Sequence, residues 1–304
     1  MGATTPSIPW GQRLTVFATY AILIAFVFLP FLLVFKISLS SDAEVQPPYL
    51  PWLDLTEGWG NIRNFLQGLS LDNYRELFDE EYIGPLIESL TIAAVSTAIL
   101  IVVGFPLAYA IARSPRALQP ILVVLVILPF CTSSLIRTYA WKYILLEDGL
   151  LNRVLLALHV LARPVEWFPG RFATYVGMVY SYLPFMVLPL YAALHRMDPA
   201  LLEAAADLGA PPRTAFWAIT LPLTRSGIIA GSLLCFIPIA GEYVIPDMLG
   251  GSEAPMIGQK LWDVFFGSAH RWTMAAAITM ALLVLFVVPM VLYESRAMRL
   301  REER

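Results

Sequence analysis

Charge is scarce in this chain. Of its 304 residues only 14% are Asp, Glu, Lys or Arg, while 58% are apolar. A soluble domain carries about a quarter charged residues and about half apolar ones, so there is too little polar material here to coat a soluble globule. A mean hydropathy of +0.69 agrees. Positive charge is thin in particular: the net charge is −3, and the only lysines are Lys36, Lys142 and Lys260. Nucleic acid is excluded as a partner, because no basic field exists to neutralise phosphates. A phosphate-binding P-loop is excluded as well, since it needs Gly-Lys-Ser/Thr and these lysines follow Phe35, Trp141 and Gln259. The two cysteines, Cys131 and Cys235, lie in apolar runs without metal-ligand spacing and read as small buried hydrophobes. His159, His195 and His270 are far apart, and no HExxH, CxxC or GxSxG occurs. An intramembrane enzyme therefore lacks a nucleophile–base pair and, like a channel subunit, stands as a weaker reading of the chain.

What the chain does have is long uncharged runs. A helix crosses about 30 Å of hydrocarbon with about 20 residues. Arg13 to Lys36 encloses 22 uncharged residues, Glu88 to Arg113 encloses 24, and Arg116 to Arg137 encloses 20. Arg171 to Arg196 encloses 24, Arg225 to Glu242 only 16, and Arg271 to Glu294 encloses 22. Six membrane-spanning helices are predicted, and the fifth reaches full length only if Glu242 lies inside it or at its membrane-buried end. The runs are continuous and do not alternate, which excludes a β-barrel. The first run exceeds the 7–15-residue apolar region of a secretory signal, and no small-residue cleavage site follows Lys36-Ile37-Ser38, so it is expected to remain as a span. Prolines 30, 106, 129, 184, 189, 238 and 289 all fall in spans, which suits a bundle that rearranges.

Lys and Arg in short loops orient such a bundle. Arg13, Arg113, Arg116, Arg196, Arg213, Arg225, Arg296, Arg299, Arg301 and Arg304 gather on one side, with six acids. The 38–85 segment on the other side has Arg63 and Arg75 against nine acids. Both termini are thus expected to be cytoplasmic, with the 38–85, 146–171 and 246–270 loops facing outward. Tyr49, Trp52, Trp59 and Phe65 in the first of these read as interface anchors before ligand contacts.

The loop between spans four and five carries the densest local signals. Asp198 suits an N-cap, Pro199 a first helical position, and Gly209 a left-handed stop. Pro211-Pro212 open a second short helix that Pro222 closes. Leu201, Leu202, Ala205 and Leu208 are expected to form one apolar stripe. A DNA-binding helix-turn-helix would show a similar outline. This unit is tied to spans at both ends and holds Arg213 against three acids, so it has no phosphate footprint.

Glu203-Ala204-Ala205, three residues, Gly209, nine residues, then Ile219-Thr220-Leu221-Pro222 resembles the EAA loop of ABC-importer membrane subunits. The likeness extends over nearly the whole chain and narrows to polyamine importers. Leu71-Asp72-Asn73-Tyr74, Ser134-Leu135-Ile136-Arg137-Thr138-Tyr139-Ala140-Trp141 and the segment from Gly241-Glu242-Tyr243 to Gly250-Gly251 carry it. Pro30-Phe31 through Ser38-Leu39 and Leu183-Pro184 through Leu188-Pro189 lean toward the putrescine-type branch.

The resemblance implies an all-α integral membrane protein of six transmembrane helices. Its fold would be that of a type I ABC importer permease, with a cytoplasmic EAA coupling helix. Residues 1–36 would hold the N-terminal tail and first span, 37–85 an outward-facing loop, 86–295 a five-helix core with the coupling loop at 197–222, and 296–304 a cytoplasmic tail. Glu203, Ala204, Ala205, Asp207, Leu208 and Gly209 would couple to the ATPase. The implied partners are two cytoplasmic ATP-binding subunits, a second homologous permease subunit, a periplasmic or extracellular polyamine-binding protein, and membrane lipid in a bacterial inner (plasma) membrane. The chain itself would bind no cofactor, with ATP and Mg on the partner ATPase. A diamine needs acidic groups and aromatic faces along its path. Glu242, Tyr243, Asp247, Arg137, Tyr139 and Trp141 form the candidate pathway set. Alternatively, Glu242 is a structural partner of Arg137 or Lys142. Neither residue type nor spacing separates putrescine from spermidine or another small cationic or organic solute.

Overall fold

The structure is a computed structural model that describes residues 10–52, 63, 65–251, 255–268 and 270–302. Side chains at 10–14, 292–294 and 296–302 are outside that description, so Trp59, Arg304 and the side chains of Arg13, Arg296, Arg299 and Arg301 lie beyond the described residues. Among the described residues four helices are long and apolar enough to cross a membrane: Thr15–Ser38, Glu80–Arg113, Arg171–His195 and Trp272–Val291. Two further candidates are bent pairs, Gln119–Cys131 with Ser134–Ala157 at 89°, and Pro212–Leu223 with Arg225–Ala240 at 63°.

The bends revise two sequence expectations. The third run of 20 uncharged residues does not make one helix. Pro129 tightens the chain into a 3₁₀ turn over Leu128–Cys131, Thr132 is extended, and a new helix starts at Ser134. Cys131, read as buried, is exposed at that break, whereas Cys235 is buried as expected. The fifth helix stops at Ala240, and Glu242 follows it in a turn. Its missing length precedes it, in the bent segment Pro212–Leu223.

The chain divides into two compact units, residues 80–260 and residues 1–79 with 261–304. In the first unit, Glu80–Arg113, Arg171–His195 and Arg225–Ala240 pack on one another around Ile92, Leu100, Met178, Met186, Leu190 and Ile239. Lipid tails give no hydrophobic drive for helices to pair, so close backbone approach at small residues does that work. Among the glycines of these three helices the approach is tightest at Gly227. A Cβ there would sit 2.6 Å from Ala193 Cβ and 2.8 Å from the Pro189 carbonyl oxygen. Ser89 accepts the Ile257 backbone N–H at 2.8 Å and so fixes the start of helix Ile257–Phe266. The 146–171 loop is organised by one buried amide. Asn152 donates to the carbonyls of Glu147 (3.0 Å) and Val165 (2.8 Å), and accepts from the Val165 N–H and the Trp167 indole.

In the second unit the sequence segment Leu71-Asp72-Asn73-Tyr74 acts as a clasp. Asn73 is buried and donates both amide protons, to Ser38 O at 3.0 Å and Ser40 O at 2.8 Å, where the first span ends. The Tyr74 hydroxyl and Ser38 Oγ share a 2.7 Å hydrogen bond. Arg271, just before the last helix, grips Glu76 with two N–H groups (2.5 and 2.7 Å) and Asp42 with Nε (3.1 Å). Buried Thr273 donates to Asp42 at 2.6 Å. The Arg271 guanidinium holds the Glu76 carboxyl below its usual range, through the hydrogen bond first and against a smaller opposing effect of burial. Lys36 Nζ sits 4.1 Å over the Tyr49 ring, and Tyr49 stacks on Trp52 at 6.0 Å. The stretch of the first span that carries the apolar signal has no buried residue.

Candidate functional site

Two places in the 80–260 unit collect the residues that the sequence singled out. The first is the loop after His195. Asp198 accepts the Ala200 N–H at 3.0 Å, as a cap should, and a helix runs over Ala200–Asp207. Gly209 lies at φ +74°, its N–H donates to Ala206 O at 2.9 Å, and the Ala210 N–H reaches Ala205 O at 3.0 Å. That pair of bonds is a Schellman close, which requires the left-handed residue. Pro211 is extended and Pro212 opens the next short helix, Pro212–Ala215. Phe216 then stands edge-on to buried Phe105 of Glu80–Arg113 at 5.4 Å, which ties the loop to the bundle.

The expected single stripe is split. Ala205 is buried, and Leu202 is half-buried and borders a hollow of about 190 Å³ together with Tyr109. Leu201 is exposed and Leu208 is 89% exposed. They lie in the first turn and past the last one, on either side of the packed middle. Glu203, Ala204, Asp207 and Gly209 are exposed too, so of the six named coupling residues Ala205 alone faces inward.

The second place is a cavity of about 580 Å³. It is bordered by the broken third span (Phe130, Arg137), by Arg171–His195 (Tyr182, Phe185) and by the end of the fifth helix (Ile237, Glu242). Glu242 is half-buried and held at both oxygens. The Tyr182 hydroxyl donates to Oε2 at 2.5 Å, and the Val244 N–H donates to Oε1 at 3.1 Å. The alternative reading of Glu242 as an ion-pair partner is not met: among the described residues it pairs with neither Arg137 nor Lys142. Arg137 donates from Nη1 to Pro129 O at 3.0 Å and lies 5.0 Å over the Phe130 ring. It thereby satisfies a carbonyl at the end of the half-helix, where a cation is favoured. Its Nε is buried without a partner. Lys142 Nζ sits 5.1 Å over Phe168.

The structure therefore brings Glu242 and Arg137 to one cavity and leaves the other four pathway candidates off its lining. Tyr139 is half-exposed, and Trp141 packs edge-on to Tyr180 at 5.4 Å. Tyr243 is half-buried, and Asp247 is exposed in the following turn. Sequence reasoning missed Tyr182, which is 60 positions from Glu242. A polar Ser181-Tyr182 pair inside an apolar run was the available signal. No cluster of metal-ligating side chains occurs among the described residues.

Residues 83–302 match the family of the binding-protein-dependent transport system inner membrane component. The spermidine/putrescine transport system permease protein PotB of Haemophilus influenzae is 35% identical over 282 residues, covering 93% of this chain and 92% of that protein. The protein of the same name from Escherichia coli is 39% identical over 235 residues, 77% of this chain and 85% of that one. A bacterial alginate ABC transporter, solved in complex with its alginate pentasaccharide-bound periplasmic protein, has a chain of the same fold. Its TM-score is 0.66 at 17% identity, over 96% of this chain and 95% of that chain. The chain belongs to this family of inner membrane transport components: it is a multi-pass membrane subunit of a transporter with the type I ABC permease fold, and not an enzyme.

Proposed function

We propose that, as a member of this family, the chain is one of two homologous membrane subunits of an ATP-driven importer that carries a polyamine, putrescine first and spermidine second, across a bacterial plasma membrane. Its termini and the 197–222 loop face the cytoplasm, in line with the ten arginines collected on that side. Two ATP-binding subunits hold ATP and Mg, and a polyamine-binding protein delivers substrate from outside. The observation that carries the import reading is the 197–222 loop. A helix closed at both ends and anchored through Phe216 offers Glu203, Ala204, Asp207, Leu208 and Gly209 outward. The polyamine reading is supported by two relatives whose names include spermidine and putrescine. The single carboxylate among the described lining residues of a largely apolar cavity, suited to a cation, supports it further.

The test is radiolabelled uptake by the full complex, with putrescine and spermidine in competition. Saturable, ATP-dependent uptake of putrescine that spermidine competes with is the expected result. Uptake of neither polyamine overturns the substrate class, and transport by the lone chain without an ATPase overturns the importer reading.

A further inference from the structure

The cavity at the end of the fifth helix has a definite charge inventory. Among its described lining residues Glu242 is the one acid and Arg137 the one base. The Glu242 carboxylate is fixed before any ligand arrives. Tyr182 bonds one oxygen and the Val244 N–H the other, at 2.5 and 3.1 Å, and each oxygen keeps a further lone pair. Among the described residues no cation pairs with it. A carboxylate oriented in this way and desolvated on several sides is a receptor for an N–H-rich cation. The walls beside it are aromatic and aliphatic. Phe185 lies 6.0 Å from the Tyr182 ring and edge-on to Phe130 at 5.1 Å. The Phe130 face is taken by Arg137, so Phe185 is the phenyl ring left for an incoming ammonium or its alkyl tether.

Arg137 limits what fits. Its guanidinium is tied to Pro129 O and Phe130, and it presents positive charge to the same space. A ligand bearing two ammonium groups meets one carboxylate and one like charge. One end gains an ion pair, and the other would be repelled if it stayed inside.

Resting on the polyamine-import reading above and deepening it, we propose that this cavity is a single-ammonium site. Glu242 receives one terminal primary ammonium, Tyr182 is the positioning residue that holds the carboxylate for it, and the second charged end of a diamine is kept out by Arg137. The rest of a long substrate is therefore held elsewhere in the assembled transporter. Arg137 also staples the break in the third span, so its substitution tests folding as much as selectivity. Glu242 and Tyr182 make the cleaner pair.

The experiment measures equilibrium binding of radiolabelled putrescine and of butylamine, a one-ended probe, to the purified complex of membrane and ATP-binding subunits without the binding protein. It compares wild type, Glu242→Gln, Tyr182→Phe and the double variant, with assembly checked by size exclusion. Glu242→Gln is expected to weaken both amines at least about tenfold and by factors within about threefold of each other. Tyr182→Phe is expected to weaken both about three- to tenfold, and to add less than about twofold on top of Glu242→Gln in the double variant, because its hydroxyl acts through that carboxylate. A loss of packing alone would instead add its full effect in the double variant. Unchanged binding in both single variants overturns the site and leaves the import reading standing. A Glu242→Gln effect more than tenfold larger for putrescine than for butylamine overturns its single-ended character. Binding of butylamine but not of putrescine, with the same dependence on Glu242, supports the site and overturns the putrescine reading.

Discussion

Two polar constellations in this chain use the same residue types and are put together in opposite ways. In the 1–79 and 261–304 unit, Arg271 is spent on Glu76 and Asp42, Thr273 is bonded to Asp42, and Asn73 closes two carbonyls. In the 80–260 unit, Glu242 has a tyrosine and a backbone N–H but, among the described residues, no cation, and Arg137 leaves a buried Nε unpaired beside a cavity. The first network holds three remote chain segments at the cost of ordering its side chains, and nothing is left over for a ligand. The second leaves bonding capacity unspent where there is room for a molecule. Satisfaction therefore separates structure from site here better than residue type does.

The comparison breaks most visibly at Asn73. Asn73→Ala is expected to cost about 3 kcal/mol, because it strands two carbonyls at a buried position. The check is the fraction of assembled transporter that survives graded heating, read by size exclusion. Glu242→Gln keeps shape and the Tyr182 hydrogen bond, so its survival curve should match wild type within about 0.5 kcal/mol while uptake falls. Equal losses in both variants would erase the distinction between closed and open networks.

A middling effect is expected at Gly209, where backbone conformation alone is at stake. No atom lies within 4 Å of a Cβ placed there, so a side chain has room and only φ +74° opposes it. Gly209→Val should be strained by about 1–3 kcal/mol and should uncouple ATP hydrolysis from uptake, while Gly209→Asn, which tolerates the left-handed region, should transport. The readout is the ratio of substrate transported to ATP hydrolysed. Normal coupling in Gly209→Val would remove the coupling role of the loop. Glu203→Lys, on the exposed face, tests the same contact by charge: full coupling there argues against a packed groove around it.

Legibility followed range along the chain. The 197–222 loop could be read because its cap, its left-handed stop and its prolines act within about a turn of one another, and the structure places the bonds of Asp198 and Gly209 and the helix start at Pro212 where those residues predict them. The spans could be read from uncharged runs, because hydrocarbon thickness sets their length. The break after Cys131 escaped that count, since a run of uncharged residues does not report where Pro129 ends a helix. The Glu242 cavity was half legible. An acid beside an apolar span drew attention, but its partner Tyr182 and the ring of Phe185 arrive from another helix. Asn152 was not legible at all, because its five bonds exist only once the 146–171 loop has closed around it.

The smallest effect expected belongs to the closed network and depends on pH. The Arg271 hydrogen bond holds the Glu76 carboxyl below the ordinary value of 4.5, with burial opposing it. A carboxyl whose folded pKa is depressed contributes stability that is present above the unfolded pKa and is lost as pH falls through the folded one. Glu76 should thus stabilise fully at neutral pH, and its share should fade from about pH 4.5 downward. The pair is about one-third exposed on both sides, at 31% and 33%, so solvent screening keeps its worth to about 0.5–1 kcal/mol. Other carboxylates titrate in the same window, and the informative quantity is therefore a difference. The heat-survival midpoint of wild type minus that of Glu76→Gln should be positive at pH 7, shrink as pH drops below about 4.5, and shrink also in 1 M salt, where the Debye length is about 3 Å. A difference that stays constant across pH would mean that Glu76 acts through packing of its side chain rather than through its charge.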